Sequence, residues 1–102
     1  MSKLQNDIQD KNFVVTSELN PPKGTDLSLL FNKAELLKNS ITAFNITDNH
    51  TSKMSMSPIA VANLLKEQGI EPIVQLACRD KNRTALQSDI LGISALGIKN
   101  IL

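Results

Sequence analysis

The sequence predicts a parallel α/β fold, because short apolar strands alternate with amphipathic helices at a nearly constant spacing. Predicted strands begin at positions 13, 43, 73 and about 100, so a new strand starts every 27 to 30 residues. That distance accommodates a strand, a loop, a helix and a return turn, which together form a right-handed parallel crossover. The composition agrees, since 102 residues with 41% hydrophobic and 21% charged residues are typical of one folded domain.

The first unit comprises a strand over residues 13–19, which is rich in aromatic and β-branched side chains and ends before Pro21 and Pro22. Thr25 or Asp26 can cap the helix that follows. The apolar positions of this helix recur on one face and are Leu27, Leu30, Ala34 and Leu37. Residues 1–12 carry no such pattern and are interpreted as an N-terminal tail.

The second unit comprises a strand over residues 43–47 and a polar loop over 48–53. Ser57 followed by Pro58 predicts a helix start, because serine accepts hydrogen bonds from free amides and proline lacks only an amide without a partner. Gly69 is expected to close this helix in a left-handed conformation. The buried stripe of the helix is predicted to be Ile59, Ala62 and Leu65.

The third unit comprises a strand over residues 73–78, a loop over 79–82 and a helix that Gly97 closes. The nearly continuous apolar strand is typical of a sheet that is covered on both faces. A fourth strand is expected to start at residues 100–102. The predicted stripe of the third helix is Leu86, Ile90, Ile93 and Leu96.

The unit length points to a closed (β/α)₈ barrel, the TIM barrel, because eight units of this size give roughly 240 residues, near the usual length of that fold. We therefore interpret the chain as about the first three and a half units of one barrel domain. A fourth strand without a partner leaves an open sheet edge, which leaves room for homo-oligomer formation.

Composition, charge and the lengths of apolar runs argue against several classes of function. The net charge of +1 and the absence of Trp and Tyr argue against nucleic-acid binding. No run approaches the roughly 18 apolar residues that a membrane span needs, and no signal segment is visible. A single cysteine, Cys78, precludes an intrachain disulfide and fits a reducing compartment, so a cytoplasmic location is expected.

Polar side chains cluster where the three predicted strands end, at the edge where α/β folds keep their active sites. Among them, Glu18 has apolar neighbours that favour a protonated carboxyl and therefore a general acid, although a solvated loop carboxylate is the simpler interpretation from composition alone. The full set is Glu18, Asn45, Thr47, Asp48, Gln75, Arg79 and Asp80.

Other reactive side chains have simpler interpretations. His50 has no ligand cluster around it, so no metal site is expected and solvent exposure is favoured over catalysis. Cys78 lacks a neighbouring base, which favours core packing over a nucleophilic role.

Arg79, Asp80 and Arg83 either pair at the surface, the favoured interpretation, or reach a phosphate. Met54 and Met56 either contact a ring system or plug the loop.

Four sequence blocks, in order, resemble the N-terminal part of the methylenetetrahydrofolate reductase family: SELNPPKG at 17–24, NITDN at 45–49, QLACRDKNR at 75–83 and ALQSD at 85–89. The resemblance covers residues 13–102. It implies a (β/α)₈ barrel that holds FAD and reduces 5,10-methylenetetrahydrofolate to 5-methyltetrahydrofolate with NADH or NADPH. Such a reaction belongs to one-carbon metabolism and supplies methionine synthesis.

The resemblance also implies roles for three residues. Glu18 occupies the position of the general acid, which protonates a folate nitrogen so that the five-membered ring opens. Thr47 matches a flavin-contacting hydroxyl, with an ordinary strand threonine as the alternative. Gln75 stands where many members have a flavin-contacting histidine, and glutamine can form a hydrogen bond but cannot titrate. Substrate-binding residues stay unassigned.

The family's next segment, a Gly-Asp pair near the flavin, is not in this sequence, so we expect the activity in a longer protein and none in the chain alone. In one family branch the reductase is fused to a homocysteine methyltransferase, and since only about a dozen residues precede the first strand, an N-terminal fusion of this kind is not expected. The alternative is a non-catalytic binding or self-assembly module, and flavin titration separates it from the enzyme.

Overall fold

The structure, a computed structural model that describes residues 1–102, contains a three-stranded parallel sheet in the order β1-β2-β3. The strands are β1 (Thr16–Leu19), β2 (Ala43–Ile46) and β3 (Pro72–Val74). Both neighbouring pairs are parallel, and a helix connects each strand to the next. The predicted parallel α/β architecture is therefore confirmed for this sheet.

Four α-helices accompany the sheet, and their ends follow local chemistry. The Ser57 hydroxyl accepts a hydrogen bond from the Ile59 N–H at 3.3 Å, and Pro58 is the first helical residue, as predicted. Gly69 has φ +77°, which confirms the left-handed closure. The helices are α1 (Lys3–Gln9), α2 (Ser28–Leu37), α3 (Pro58–Glu67) and α4 (Arg83–Ala95).

Helix α2 begins two residues after Asp26. The Asp26 carboxylate accepts hydrogen bonds from the Ser28 N–H at 3.0 Å and from the Ser28 hydroxyl at 2.6 Å. Leu27 occupies the N-cap position without a side-chain cap. Neither Thr25 nor Asp26 is therefore the N-cap residue, although Asp26 still orders the first turn.

Helix α1 forms within residues 1–12, so the prediction of an N-terminal tail without a helix is wrong. The buried Ser2 caps it by accepting the Gln5 N–H at 3.0 Å, and Lys3 Nζ lies 3.5 Å from the Thr42 carbonyl oxygen. Since Thr42 immediately precedes β2, the helix lies at the amino-terminal edge of the sheet, opposite the edge where function is expected.

Strands β1 and β3 are shorter than predicted. Phe13 is 93% exposed and lies outside β1, and β3 ends at Val74 rather than at Cys78. A short 3-10 helix over Cys78–Asp80 carries the cysteine to the surface. The expected core packing of Cys78 is therefore wrong, because the chain has left the sheet before it reaches this residue.

The hydrophobic core lies on one face of the sheet. Leu19, Phe44, Ile46 and Val74 point to this face from the strands, and the side chains that pack against them come mainly from three helices. Helices therefore cover only one face of the sheet. The apolar strand at 73–78 predicted cover on both faces, and the structure does not show it. The main helical contributors are Leu30, Ala34, Val61, Ala62, Leu65 and Ile93.

Helix α4 buries less than its apolar stripe predicted. Ile93 is fully buried and Leu86 is half-buried, whereas Ile90 and Leu96 remain 43% and 39% exposed. Beyond β3 the sheet continues only as one parallel bridge between Val74 and Ile101, so this helix has little surface to cover.

That bridge is the start of the predicted fourth strand. The Val74 N–H donates to the Asn100 carbonyl oxygen at 3.0 Å, and the Leu102 N–H donates to the Val74 carbonyl oxygen at 2.8 Å. None of the helices has the length and apolarity that crossing a membrane requires.

Two adjacent leucines of α3 test the position of the core. Leu65 is fully buried, whereas Leu64 is 37% exposed. We expect Leu65→Ala to lower the free energy of unfolding by about 2–5 kcal/mol, because it removes buried methyl groups and leaves a cavity. Leu64→Ala, the matched control, should cost less than about 1 kcal/mol. Equal losses in urea denaturation would contradict the assigned core face.

A second test concerns the ion pair that joins α4 to the loop after β3. Lys81 Nζ lies 2.5 Å from Asp89 Oδ2, and this hydrogen bond raises the pKa of the Lys81 ammonium above its usual 10.5. A raised lysine pKa stabilises the fold fully below its unfolded-state value, and the contribution disappears as the pH rises through the folded-state value.

Replacing Asp89 with Asn should therefore remove a stabilisation of no more than about 1 kcal/mol near neutral pH. It should also flatten the decline in stability above about pH 10.5. Glu35→Gln, which removes the more exposed Lys38–Glu35 pair, is the control. An unchanged alkaline decline in the Asp89 variant, measured by urea denaturation, would show that the pair does not contribute.

Candidate functional site

The register of the three strands sets the arrangement of polar side chains on the face opposite the helical core. Glu18 pairs with Asn45, and Asn45 pairs with Ile73, so these three residues form one row across the sheet. Side chains two residues apart on a strand share a face. The next row toward the carboxyl ends therefore consists of Asn20, Thr47 and Gln75, one from each connection that leaves a strand.

Contacts within this second row confirm its geometry. The Thr47 hydroxyl donates to Asn20 Oδ1 at 2.8 Å. The Thr47 N–H donates to the Leu19 carbonyl oxygen at 3.1 Å, and the Gln75 N–H donates to the Ile46 carbonyl oxygen at 3.1 Å. The backbone ladder thus continues past the ends of the strands and holds all three polar side chains in register.

A cavity of about 220 Å³ opens at this edge of the sheet, and Thr47 and Gln75 both line it. Thr47 is 2% exposed and Gln75 is half-buried, so both positions are fixed by the fold. The other polar residues of the lining are Asp48, His50, Thr51 and Arg79. The structure therefore brings the two predicted flavin-contacting residues into one site.

A second cavity, of about 200 Å³, adjoins the first and shares Thr47 and His50 with it. Lys23 and Lys53 line this second cavity, as does Ser55. The Ser55 Oγ atom is buried and has no hydrogen-bond partner in the chain. Buried polar groups normally find a partner, so this hydroxyl is an exception among the buried side chains.

Glu18 occupies a different position on the same face. Its side chain is exposed, lines neither cavity and takes part in none of the ion pairs of the chain. Its row lies two residues, or about 7 Å, from the row of Thr47 and Gln75. The carboxyl group therefore faces the same side of the sheet but is not in direct contact with the cavities.

The loop after β2 carries the other residues that the sequence singled out. His50 is exposed, as expected, and lies in a stretch where Asn49, Thr51 and Ser52 have φ values of +47°, +56° and +60°. A left-handed β-branched Thr51 is unusual and is a feature of strained loops near functional sites. No three His, Cys, Asp or Glu side chains group closely enough to hold a metal ion.

Ion pairing and burial distinguish between the alternatives for the remaining candidates. Arg79 and Asp80 form a surface ion pair at 3.3 Å, which confirms the simpler interpretation for these two residues, and Arg83 is exposed. Met54 is 68% exposed, whereas Met56 packs against the core and plugs the loop.

Three residues of the site carry roles that the sequence analysis did not assign. Asn20 binds the Thr47 hydroxyl, Asn49 supports the loop that carries His50, and Asp48 accepts the Ala77 N–H. All lie in polar blocks after strands, but their pairings depend on contacts between residues 6 to 29 positions apart. Sequence spacing alone could mark them as loop residues but not assign their partners.

The chemistry of the two cavities fits a polar ring system that carries an anionic group. Thr47 and Gln75 offer neutral hydrogen-bonding groups, which suit ring carbonyls and ring nitrogens. Lys23 and Lys53 supply positive charge around the second cavity, which suits a phosphate.

Comparison with curated proteins gives no match. The protein-family model for methylenetetrahydrofolate reductase matches residues 3–102, nearly the whole chain. The match spans every strand and helix described above, including α1, which begins at Lys3. The chain therefore belongs to the methylenetetrahydrofolate reductase family.

Proposed function

We propose that this chain is part of a flavin-dependent oxidoreductase that reduces 5,10-methylenetetrahydrofolate to 5-methyltetrahydrofolate with NADH or NADPH. The family match makes a reductase of this family the expected activity. The observation that carries the proposal is the shared cavity of Thr47 and Gln75 at the carboxyl ends of parallel strands. That edge is where α/β enzymes bind their ligands.

FAD is the cofactor we propose, and it supplies the hydride that reduces the folate substrate. Thr47 and Gln75 would hold the flavin through hydrogen bonds, and Asn20 Oδ1 orients the Thr47 hydroxyl by accepting its hydrogen bond. In this arrangement the Thr47 oxygen keeps its lone pairs for an incoming donor.

Glu18 is the proposed general acid. Its carboxyl group shares a face with Thr47 and Gln75, one row away, which allows a substrate bound above the cavity to reach it. When protonated, the carboxyl donates its proton to a folate nitrogen, and the five-membered ring opens at the carbon that receives the hydride. Its exposure in this chain leaves both carboxyl oxygens free for that contact.

We further propose that a closed (β/α)₈ barrel surrounds this polar face in the active enzyme and that the 102-residue chain alone is inactive. Glu18 and Thr16 lie open to solvent here, whereas proton transfer to a folate requires a site that excludes water. The cytoplasmic location stays a prediction.

Exchanging Gln75 for histidine tests the flavin contact. In the flavin-loaded enzyme, Gln75→His should keep the fold and alter flavin affinity or reduction potential modestly, because a neutral amide becomes a group that titrates near pH 6.5. The measurement is flavin affinity and potential from about pH 5 to about pH 8. Gln68→His, at an exposed position beyond α3, is the control. Identical values for the Gln75 variant and wild type at every pH would place Gln75 outside the flavin contacts.

Exchanging Glu18 for glutamine tests the proton donor. Glu18→Gln keeps the size of the side chain but removes the acidic proton, so folate reduction by the enzyme should fall by roughly 10² or more. Reduction of the bound flavin by NADH or NADPH requires no proton from this carboxyl and should stay within about threefold of wild type. Stopped-flow absorbance measures the two half-reactions separately.

Glu35→Gln, on the outer surface of α2, is the matched control and should leave both half-reactions unchanged. Equal slowing of both half-reactions by Glu18→Gln would assign the residue a structural or binding role. No slowing of either would remove it from the reaction altogether.

A further inference from the structure

The most tightly held group at the candidate site is a carboxylate to which neither the family resemblance nor the mechanism above gives a role. Asp48 is 7% exposed, although it belongs to a polar loop whose next residues are half-buried or exposed. Burial of a carboxylate is unfavourable unless hydrogen bonds compensate for the lost water. Its two oxygens do find donors, the Ala77 N–H at 2.7 Å and the Asn49 side-chain amide at 3.3 Å.

The contact with Ala77 continues the parallel ladder between β2 and β3. In that ladder the Gln75 N–H donates to the Ile46 carbonyl oxygen. Parallel pairing advances by two residues on each strand, so the next rung would join the Ala77 N–H to the main-chain carbonyl of Asp48. The Asp48 carboxylate takes that rung instead, at a distance typical of a charge-assisted hydrogen bond.

Because the Asp48 carboxylate replaces a main-chain carbonyl in this rung, Asp48 helps to fix the position of Gln75. Its N–H is fixed by the last main-chain rung, and Ala77, two residues later, is fixed by Asp48. The segment that carries the Gln75 side chain is thus held at both ends against the connection that carries Thr47. A second tie joins the same two connections, since the Arg79 guanidinium donates to the Asn49 carbonyl oxygen at 2.9 Å.

We propose that Asp48 is a positioning residue that sets the distance between Gln75 and Thr47 and thereby the affinity of the flavin site. The proposal rests on the proposed function, since it concerns the same cofactor. Asp48 acts through the Ala77 N–H, and its role is to keep the two flavin contacts in one row of the sheet.

The test compares two substitutions of Asp48 in the flavin enzyme, with FAD as the probe. Asp48→Ala removes the acceptor of the Ala77 N–H and leaves the Arg79–Asn49 contact as the remaining tie between the two connections beyond Gln75, so FAD affinity should fall by roughly tenfold or more. Asp48→Asn retains a side-chain oxygen that can accept the Ala77 N–H, so affinity should stay within about threefold of wild type. Asp7→Ala is the control. It removes the contacts of the half-buried Asp7 with Lys3 and Asn12 at the amino-terminal edge of the sheet, and this variant should bind FAD normally.

The absorption spectrum of bound FAD and the hydrogen exchange of the Ala77 amide separate positioning from general stability. Asp48→Ala should speed exchange at Ala77 and shift the flavin spectrum, whereas a merely structural role would lower the melting temperature and leave spectrum and affinity unchanged. A lower melting temperature with an unchanged spectrum and affinity would overturn the positioning role of Asp48 but not the proposed function. Equal affinity losses in the Ala and Asn variants would do the same. A wild-type enzyme that binds no FAD would overturn the proposed function and the positioning role with it.

Discussion

The parallel backbone ladder between the three strands is the constraint on which the rest of the structure depends. Because each rung advances two residues on both partners, the ladder fixes which side chains stand beside one another. A shift of one residue in β2 would turn Phe44 and Ile46 out of the core and place Asn45 in it. The register therefore builds the hydrophobic face and the polar face at the same time.

Much of this architecture could be predicted from the sequence, because its signals are local. The Ser57-Pro58 pair defined the start of α3, and Gly69 and Gly97 marked helix ends where the observed φ values are +77° and +76°. Such features depend on residues that are close in sequence. The spacing of strand starts is also a local property of each crossover, so the parallel order followed from it.

The errors arise where tertiary contacts decide. Cys78 follows an apolar run that is typical of a strand, yet β3 ends at Val74, and the Asp48 carboxylate in place of a main-chain carbonyl accepts the Ala77 N–H, so the backbone ladder stops before Cys78. Ile90 and Leu96 have the spacing of a buried stripe, but α4 meets a sheet that has narrowed to one bridge beyond β3. Local pattern gives the propensity to be buried, and the neighbouring element decides whether burial occurs.

The candidate site shows the same division. Thr47 and Gln75 could be identified from their matching positions after two strands, and the structure adds that both line one cavity. Asp48 could be singled out at a strand end, but its pairing with Ala77, like that of Asn20 with Thr47, could not be predicted, because the partners are 29 and 27 residues away. Beyond the strand ends, the Asp48 carboxylate takes the place of a main-chain rung. The Asn20 side chain adds a contact with Thr47 beside the main-chain rung that is still present. Side chains thus extend the alignment that the backbone ladder sets. A site built in this way keeps the precision of the sheet. It can also vary in the residues that contact a ligand, as we propose for the glutamine at position 75, without loss of the framework that holds them.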